Sequence, residues 1–117
     1  MALIPLGEGS NVVIAGEIQA LVLRQRTRGI RLLENDGSGA LLRVGAGENW
    51  HRLVQWTLQH GLFGLENLAL IPGTVGAAPI QNIGAYGVEL ARFVDAVHAV
   101  RIDDGEPVTL SGLECDF

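Results

Sequence analysis

The sequence contains no lysine. All eight of its basic residues are arginine, scattered among thirteen acids for a formal net charge of -5. A nucleic-acid partner calls for a clustered basic surface, so that class of function is excluded. A Walker-type phosphate loop depends on its lysine and is excluded with it. The single cysteine, Cys115, leaves no disulfide framework and no cysteine-rich zinc site. His51, His60 and His98 share no metal-ligand spacing, so no metal is expected. Met1-Ala2-Leu3-Ile4-Pro5 lacks the basic stretch and full apolar run of a secretory leader, which makes a cytoplasmic, reducing compartment the expectation.

A clean apolar span is missing as well. The longest uncharged stretch, Asn67 to Val88, is 22 residues, and a bilayer needs about 20. It holds Pro72, Pro79, four glycines, Asn67, Gln81 and Asn82, which would carry broken backbone and polar side chains into lipid. No membrane span is expected. What is present suffices for one folded domain: 117 residues, 48% hydrophobic and 18% charged. That balance is far from the composition of disordered chains.

Short apolar runs at Leu3 to Leu6, Val12 to Ile14, Ala20 to Arg24 and Gly29 to Leu33 read as strands. Asn35-Asp36-Gly37-Ser38-Gly39 is a turn, and Ala40 to Val44 returns as the partner strand. From Glu48 to His60 the period becomes helical. Trp50, Leu53, Val54, Thr57 and Leu58 share one face, Glu48 suits the first turn, and Gly61 supplies the stop. Both tryptophans are expected in core packing, Trp56 at the border of the stripe. Phe93 to Ile102 reads as a long strand, turning at Asp103-Asp104-Gly105-Glu106 into Pro107 to Leu110. Ser111 and Glu114 have the spacing of a capping box.

Two glycine-bearing segments could carry chemistry. Gly7-Glu8-Gly9-Ser10-Asn11 follows a strand, and its N–H groups and side chains could surround an anion. An ordinary turn uses the same residues, and the pattern alone leaves both readings open. Gly45-Ala46-Gly47, with Glu66 about twenty residues on, imitates a dinucleotide fingerprint. Trp50 stands where the third glycine belongs, and no second strand precedes Glu66, so that reading is set aside. The segment from Ile71 to Gly87 is dominated by small residues and stiffened by two prolines. Such a run suits a backbone wall against a large planar or phosphorylated ligand, the other reading being a glycine-rich buried connection with no ligand. Without lysine, phosphate would be held mainly by backbone N–H groups, which both segments offer. No Ser-His-Asp, Cys-His or paired-carboxylate constellation stands out, and no catalytic residue is expected in this chain.

Leu6 to Asn11, Val44 to Trp50, and Gly64-Leu65-Glu66-Asn67-Leu68 through Gly87 together closely resemble the UDP-N-acetylenolpyruvoylglucosamine reductases of bacterial peptidoglycan synthesis. The resemblance covers essentially the whole chain. It implies an α+β fold, part of an FAD-binding domain of the vanillyl-alcohol-oxidase type, with mostly antiparallel strands and one main helix at about 48–60. By resemblance, Gly7, Glu8, Gly9, Ser10 and Asn11 hold the FAD pyrophosphate. Ile71, Pro72, Gly73, Gly76, Ala77, Ala78, Ile80, Asn82, Gly84 and Ala85 line the flavin, and Tyr86 meets the substrate.

The implied reaction uses NADPH and FAD to reduce an enolpyruvyl ether on a UDP-sugar to a lactyl ether. The family's N-terminal strand-helix-strand portion, the arginine-bearing stretch after Phe117 and the substrate domain with its proton donor have no match here. The expectation is therefore a single incomplete FAD-binding domain, inactive alone. Two alternatives stay open: a self-standing flavin or nucleotide binder, and a remnant that binds nothing and associates with itself through exposed strand edges.

Overall fold

Short apolar runs rich in leucine, isoleucine and valine favour extended backbone, and two such runs near the start of the chain pair side by side. In the computed structural model, which describes residues 2–10, 15–17, 20–115 and 117, β1 (Ala2–Leu6) lies parallel to β2 (Ala20–Arg24). The expected strand at Val12 to Ile14 and the candidate residue Asn11 fall outside the described residues. Parallel neighbours need a connection of about a dozen residues, and this one carries the Gly7–Ser10 loop away from the end of β1.

β3 (Ile30–Asn35) and β4 (Ala40–Val44) form an antiparallel hairpin with a register shift between Leu32 and Glu34. Its turn is organised by one carboxylate. Asp36 Oδ1 accepts from the Ser38 hydroxyl at 2.8 Å and from the N–H groups of Ser38 and Gly39, each at 3.0 Å. The Ser38 hydroxyl, followed by those N–H groups, holds the Asp36 carboxyl below its ordinary value.

The amphipathic run becomes α1 (Trp50–Gln59), one residue or two inside the expected bounds. Its cap is Asn49, whose side chain accepts from Arg52 N at 3.0 Å. Glu48 therefore lies ahead of the helix rather than in its first turn. Its carboxylate instead accepts from Gly29 N at 3.1 Å and Arg28 Nη1 at 3.3 Å, tying the start of β3 to the helix entry. Trp50, Leu53, Val54 and Thr57 are buried as the period requires, while Leu58 is 40% exposed at the edge of the stripe. Trp56 is half-buried and stacks on His60.

The buried face of α1 packs on the stretch that follows. Leu68 in a 3₁₀ turn (Glu66–Leu68), Ala78 in α2 (Ala78–Gln81), Ile83 and Leu90 complete one core with Trp50, Leu53 and Val54. The small-residue segment thus supplies core as well as surface. A minimal hairpin, β5 (Gly84–Ala85) with β6 (Val88–Glu89), follows α2. The expected strand from Phe93 is shorter, because Leu90–Arg92 makes a 3₁₀ turn that Phe93 caps. β7 (Ala96–Val100) then pairs antiparallel with β8 (Pro107–Ser111). Both halves of the capping box form: Glu114 N donates to Ser111 Oγ and Ser111 N to Glu114 Oε1, each at 3.2 Å. Among the described residues, one parallel and three antiparallel strand pairs with one main helix make the α+β fold that the resemblance implied.

Candidate cofactor site

Three glycine-bearing turns meet at the entry to α1. The turn after β4, Gly45-Ala46-Gly47, is wedged between two other pieces of backbone. A Cβ on Gly45 would come within 2.6 Å of Thr27 O, and one on Gly47 within 2.6 Å of Thr27 N. On the opposite flank, a Cβ on Gly76 would lie 2.7 Å from Ala46 Cβ. These glycines permit backbone-on-backbone packing; they are not an unfinished dinucleotide loop.

The contact is zipped by hydrogen bonds. Gly76 N donates to Ala46 O at 2.9 Å, Val75 N to Glu48 O at 2.8 Å, and Trp50 N to Gly73 O at 3.0 Å. Asn49 and Thr74 form a bridge between them. Onto this ladder the loop after β1 is laid. A Cβ on Gly7 would sit 3.0 Å from Thr74 Oγ1 and 3.8 Å from Ala77 Cβ. Glu8 Oε1 accepts from Asn49 Nδ2 at 3.1 Å, and Ser10 Oγ lies 3.4 Å from the Cβ position of Gly73. Gly7, Glu8, Ser10, Gly73, Gly76 and Ala77 are thereby brought together.

The donors divide unevenly. Val75, Gly76 and Ala77 spend their N–H groups on Glu48 O, Ala46 O and Thr74. Among the described residues, the N–H groups of Glu8, Gly9 and Ser10 have no protein acceptor. The N–H groups of Gly73 and Thr74 likewise have no acceptor among the described residues, so each of the two segments keeps donors on this side of the cradle. Gly9 has φ 78°, a left-handed conformation that glycine adopts without strain, and its Cβ position faces open space. Glu8 is a loop anchor through Asn49; its carboxylate would repel a phosphate.

The single turn α2 leads from this cradle to a second feature. Asn82 caps α2 in the left-handed region (φ 41°), and its Oδ1 is buried without a hydrogen-bond partner. An acceptor left in that condition costs about 1–3 kcal/mol unless a donor reaches it. Asn82 lines a groove of about 390 Å³ with Gly84, Ala85, Gly87, Val88 and Glu89. Tyr86 and Gly87 form the two-residue turn of the β5–β6 hairpin, at φ 53° and 76°. Positive φ is a genuine outlier for a bulky residue, and Tyr86 is 89% exposed, so no burial compensates it. The remaining candidates lie elsewhere: Ala78 is in the core, Ile71 packs against it, Pro72 is exposed and Ile80 is 86% exposed on α2.

Motif reading missed Ala46, Asn49 and Thr74, which build the floor of the cradle. Asn49 had a usable signal, since Asn directly before a helical period is a cap. Thr74 had none beyond being the lone hydroxyl between two glycines.

These features fit a phosphorylated, planar cofactor: N–H donors without an acceptor among the described residues, open space at a left-handed glycine, and an orphaned acceptor beside a groove. The class is a flavin-binding domain. The sequence model of the FAD binding domain family matches residues 1–111, and the chain belongs to that family, whose cofactor is FAD. One step further, the chain is 53% identical over 117 residues to the UDP-N-acetylenolpyruvoylglucosamine reductase of Pseudomonas fluorescens, an alignment covering 100% of this chain and 34% of that protein. With the Escherichia coli reductase of the same name the identity is 54% over 112 residues, covering 96% and 32%. The crystal structure of the Thermus caldophilus reductase superposes with a TM-score of 0.72 at 30% identity, covering 97% of this chain and 40% of that one. These likenesses bear out the resemblance drawn from the motifs. The chain spans about a third of the length of the curated relatives it matches.

Proposed function

We propose that this chain is the FAD-binding part of an NADPH-dependent reductase that converts a UDP-N-acetylglucosamine enolpyruvyl ether to UDP-N-acetylmuramate in bacterial cell-wall synthesis. The observation that carries the reading is the convergence of the Gly7–Ser10 loop on the Gly73–Ala77 ladder, with no acceptor among the described residues for the N–H groups of residues 8–10. In this reading those N–H groups and the Ser10 hydroxyl hold the pyrophosphate, and Gly9 lets the backbone approach it. The stretch from Ile71 to Ala85 walls the flavin, with Asn82 Oδ1 accepting from a cofactor N–H or O–H. Tyr86 is displayed at the hairpin tip toward a UDP-sugar. Bound FAD would supply the two-electron chemistry between NADPH and the substrate; the chain's own part is to bind, orient and exclude water.

A cytoplasmic location, coupling to cell division and the absence of a nucleic-acid or membrane partner belong to the same proposal. Among the described residues no helix is long and apolar enough to cross a membrane. Self-association is the second reading, supported by the exposure of Ile4, Leu21, Val22 and Leu23 on the two-stranded β1–β2 pair. Sedimentation velocity over a range of concentrations separates it from a monomer.

Thermal unfolding with and without FAD tests the main reading. A ligand at 100 times its dissociation constant adds about 2.7 kcal/mol, which for a domain of this size raises the midpoint by about 10 °C or more. A cooperative transition that FAD leaves in place sinks the proposal. NADPH oxidation coupled to the enolpyruvyl substrate is expected to be undetectable with this chain alone, because the family resemblance assigns the proton donor to a domain that this chain does not match. Turnover by the purified chain would overturn that division of labour.

A further inference from the structure

The entry turn of α1 grips the stretch that leads to Gly73 at three points. Trp50 Nε1 donates to Leu68 O at 2.8 Å, Trp50 N donates to Gly73 O at 3.0 Å, and between them Leu70 N donates to His51 Nδ1 at 3.0 Å. The middle residue is held against its preference. Leu70 has φ 66°, in the region glycine favours, and its side chain is 80% exposed, so it gains no burial there. What it gains is an acceptor for its N–H. An imidazole nitrogen that accepts is unprotonated, which places the ring proton of neutral His51 on Nε2.

We infer that His51 is a positioning residue for the flavin wall: by accepting the Leu70 N–H it holds the left-handed turn that sets Pro72 and Gly73 against the Ser10 side of the Gly7–Ser10 loop. The inference rests on the proposed FAD site and goes beyond it, since His51 itself stands on the helix rather than in the cradle. The path is continuous. His51 fixes Leu70, Leu70 sets the direction of Ile71-Pro72, and the Cβ position of Gly73 lies 3.4 Å from Ser10 Oγ. Nothing about a histidine at the second position of an amphipathic helix signals this in the sequence.

Three variants of this chain test it, read by FAD fluorescence titration and by amide exchange at Leu70, with circular dichroism confirming the fold. His51→Ala is expected to expose the Leu70 amide to exchange and to weaken FAD binding about tenfold, the equivalent of one lost net hydrogen bond. His51→Gln, whose side-chain carbonyl can accept the same N–H, is expected to stay within about threefold of the parent by the same arithmetic. In a Leu70→Gly background the alanine change is expected to cost about threefold or less, because glycine occupies that φ without support. A His51→Ala chain that binds FAD like the parent overturns the inference alone. So does His51→Gln behaving as poorly as alanine. A parent chain that binds no FAD overturns the proposed function and the inference with it.

Discussion

Replacing Gly9 with valine is expected to weaken FAD binding by about a hundredfold or more, and to cost the cofactor-free chain only the local strain. At φ 78° a β-branched side chain is disfavoured by about 1–2 kcal/mol, and no neighbour within 4 Å of the Cβ position stabilises it. The loop escapes by rotating toward negative φ. That rotation reorients the N–H groups of the loop, and the hydrogen bonds proposed to a bound pyrophosphate are lost with it. Losing two hydrogen bonds to a charged group, at about 1.5–3 kcal/mol each, amounts to roughly a hundredfold or more in affinity. Gly9→Asn separates the two effects, because asparagine tolerates the left-handed region, and it is expected to retain binding within about tenfold. Flavin fluorescence titration reads both. Parental affinity in Gly9→Val would move the pyrophosphate away from this loop.

The largest expected loss of stability comes from Leu68→Ala, at about 3–4 kcal/mol. Leu68 is fully buried, and its carbonyl receives the Trp50 indole N–H, so it joins the 3₁₀ turn to the helix by side chain and backbone together. Buried leucine-to-alanine changes cost about 2–5 kcal/mol, more where the surroundings cannot collapse into the space. With seven buried apolar residues in the core among the described residues, few neighbours can move to fill it. Against a total of about 5–15 kcal/mol for a typical domain, that loss removes a large share. Urea unfolding monitored by tryptophan fluorescence gives the midpoint, with Leu113→Ala as the comparison. Leu113 is 94% exposed, and its change is expected to stay within about 0.5 kcal/mol. Equal midpoints for the two variants would show that the core does not turn on Leu68.

Much of the architecture was legible from one dimension. β2 and β4 fall where their short apolar runs lie, and α1 falls within the 3.6-residue period of Trp50, Leu53, Val54 and Thr57. Asp36-Gly37 marked a turn because aspartate and glycine make turns through their own local hydrogen bonds. Where two local signals competed, the sequence was less decisive. Asn49 rather than an acid at position 48 starts the helix, since a cap must accept from an N–H two or three residues on, and Glu48 is drawn instead to Gly29 and Arg28. Phe93 to Ile102 alternates like one strand throughout, yet the Leu90 to Arg92 turn uses its start.

By itself, then, the sequence determined β2, β4, the main helix, the Asp36-Gly37 turn and, through the specific run from Pro72 to Gly87, the family of the chain; the short elements between Glu66 and Arg92 were not legible in it. What it determined depends on residues within a few positions of one another, or on a pattern that can be matched letter by letter. The tertiary structure decided what the glycines are for. Gly45 and Gly47 pack on residues 26–28, Gly76 packs on Ala46, and the Cβ position of Gly9 faces open space. It also decided which N–H groups are spent inside the fold and which remain. Those assignments depend on backbone segments roughly twenty to thirty residues apart coming into direct contact, a closeness that no local period or composition encodes.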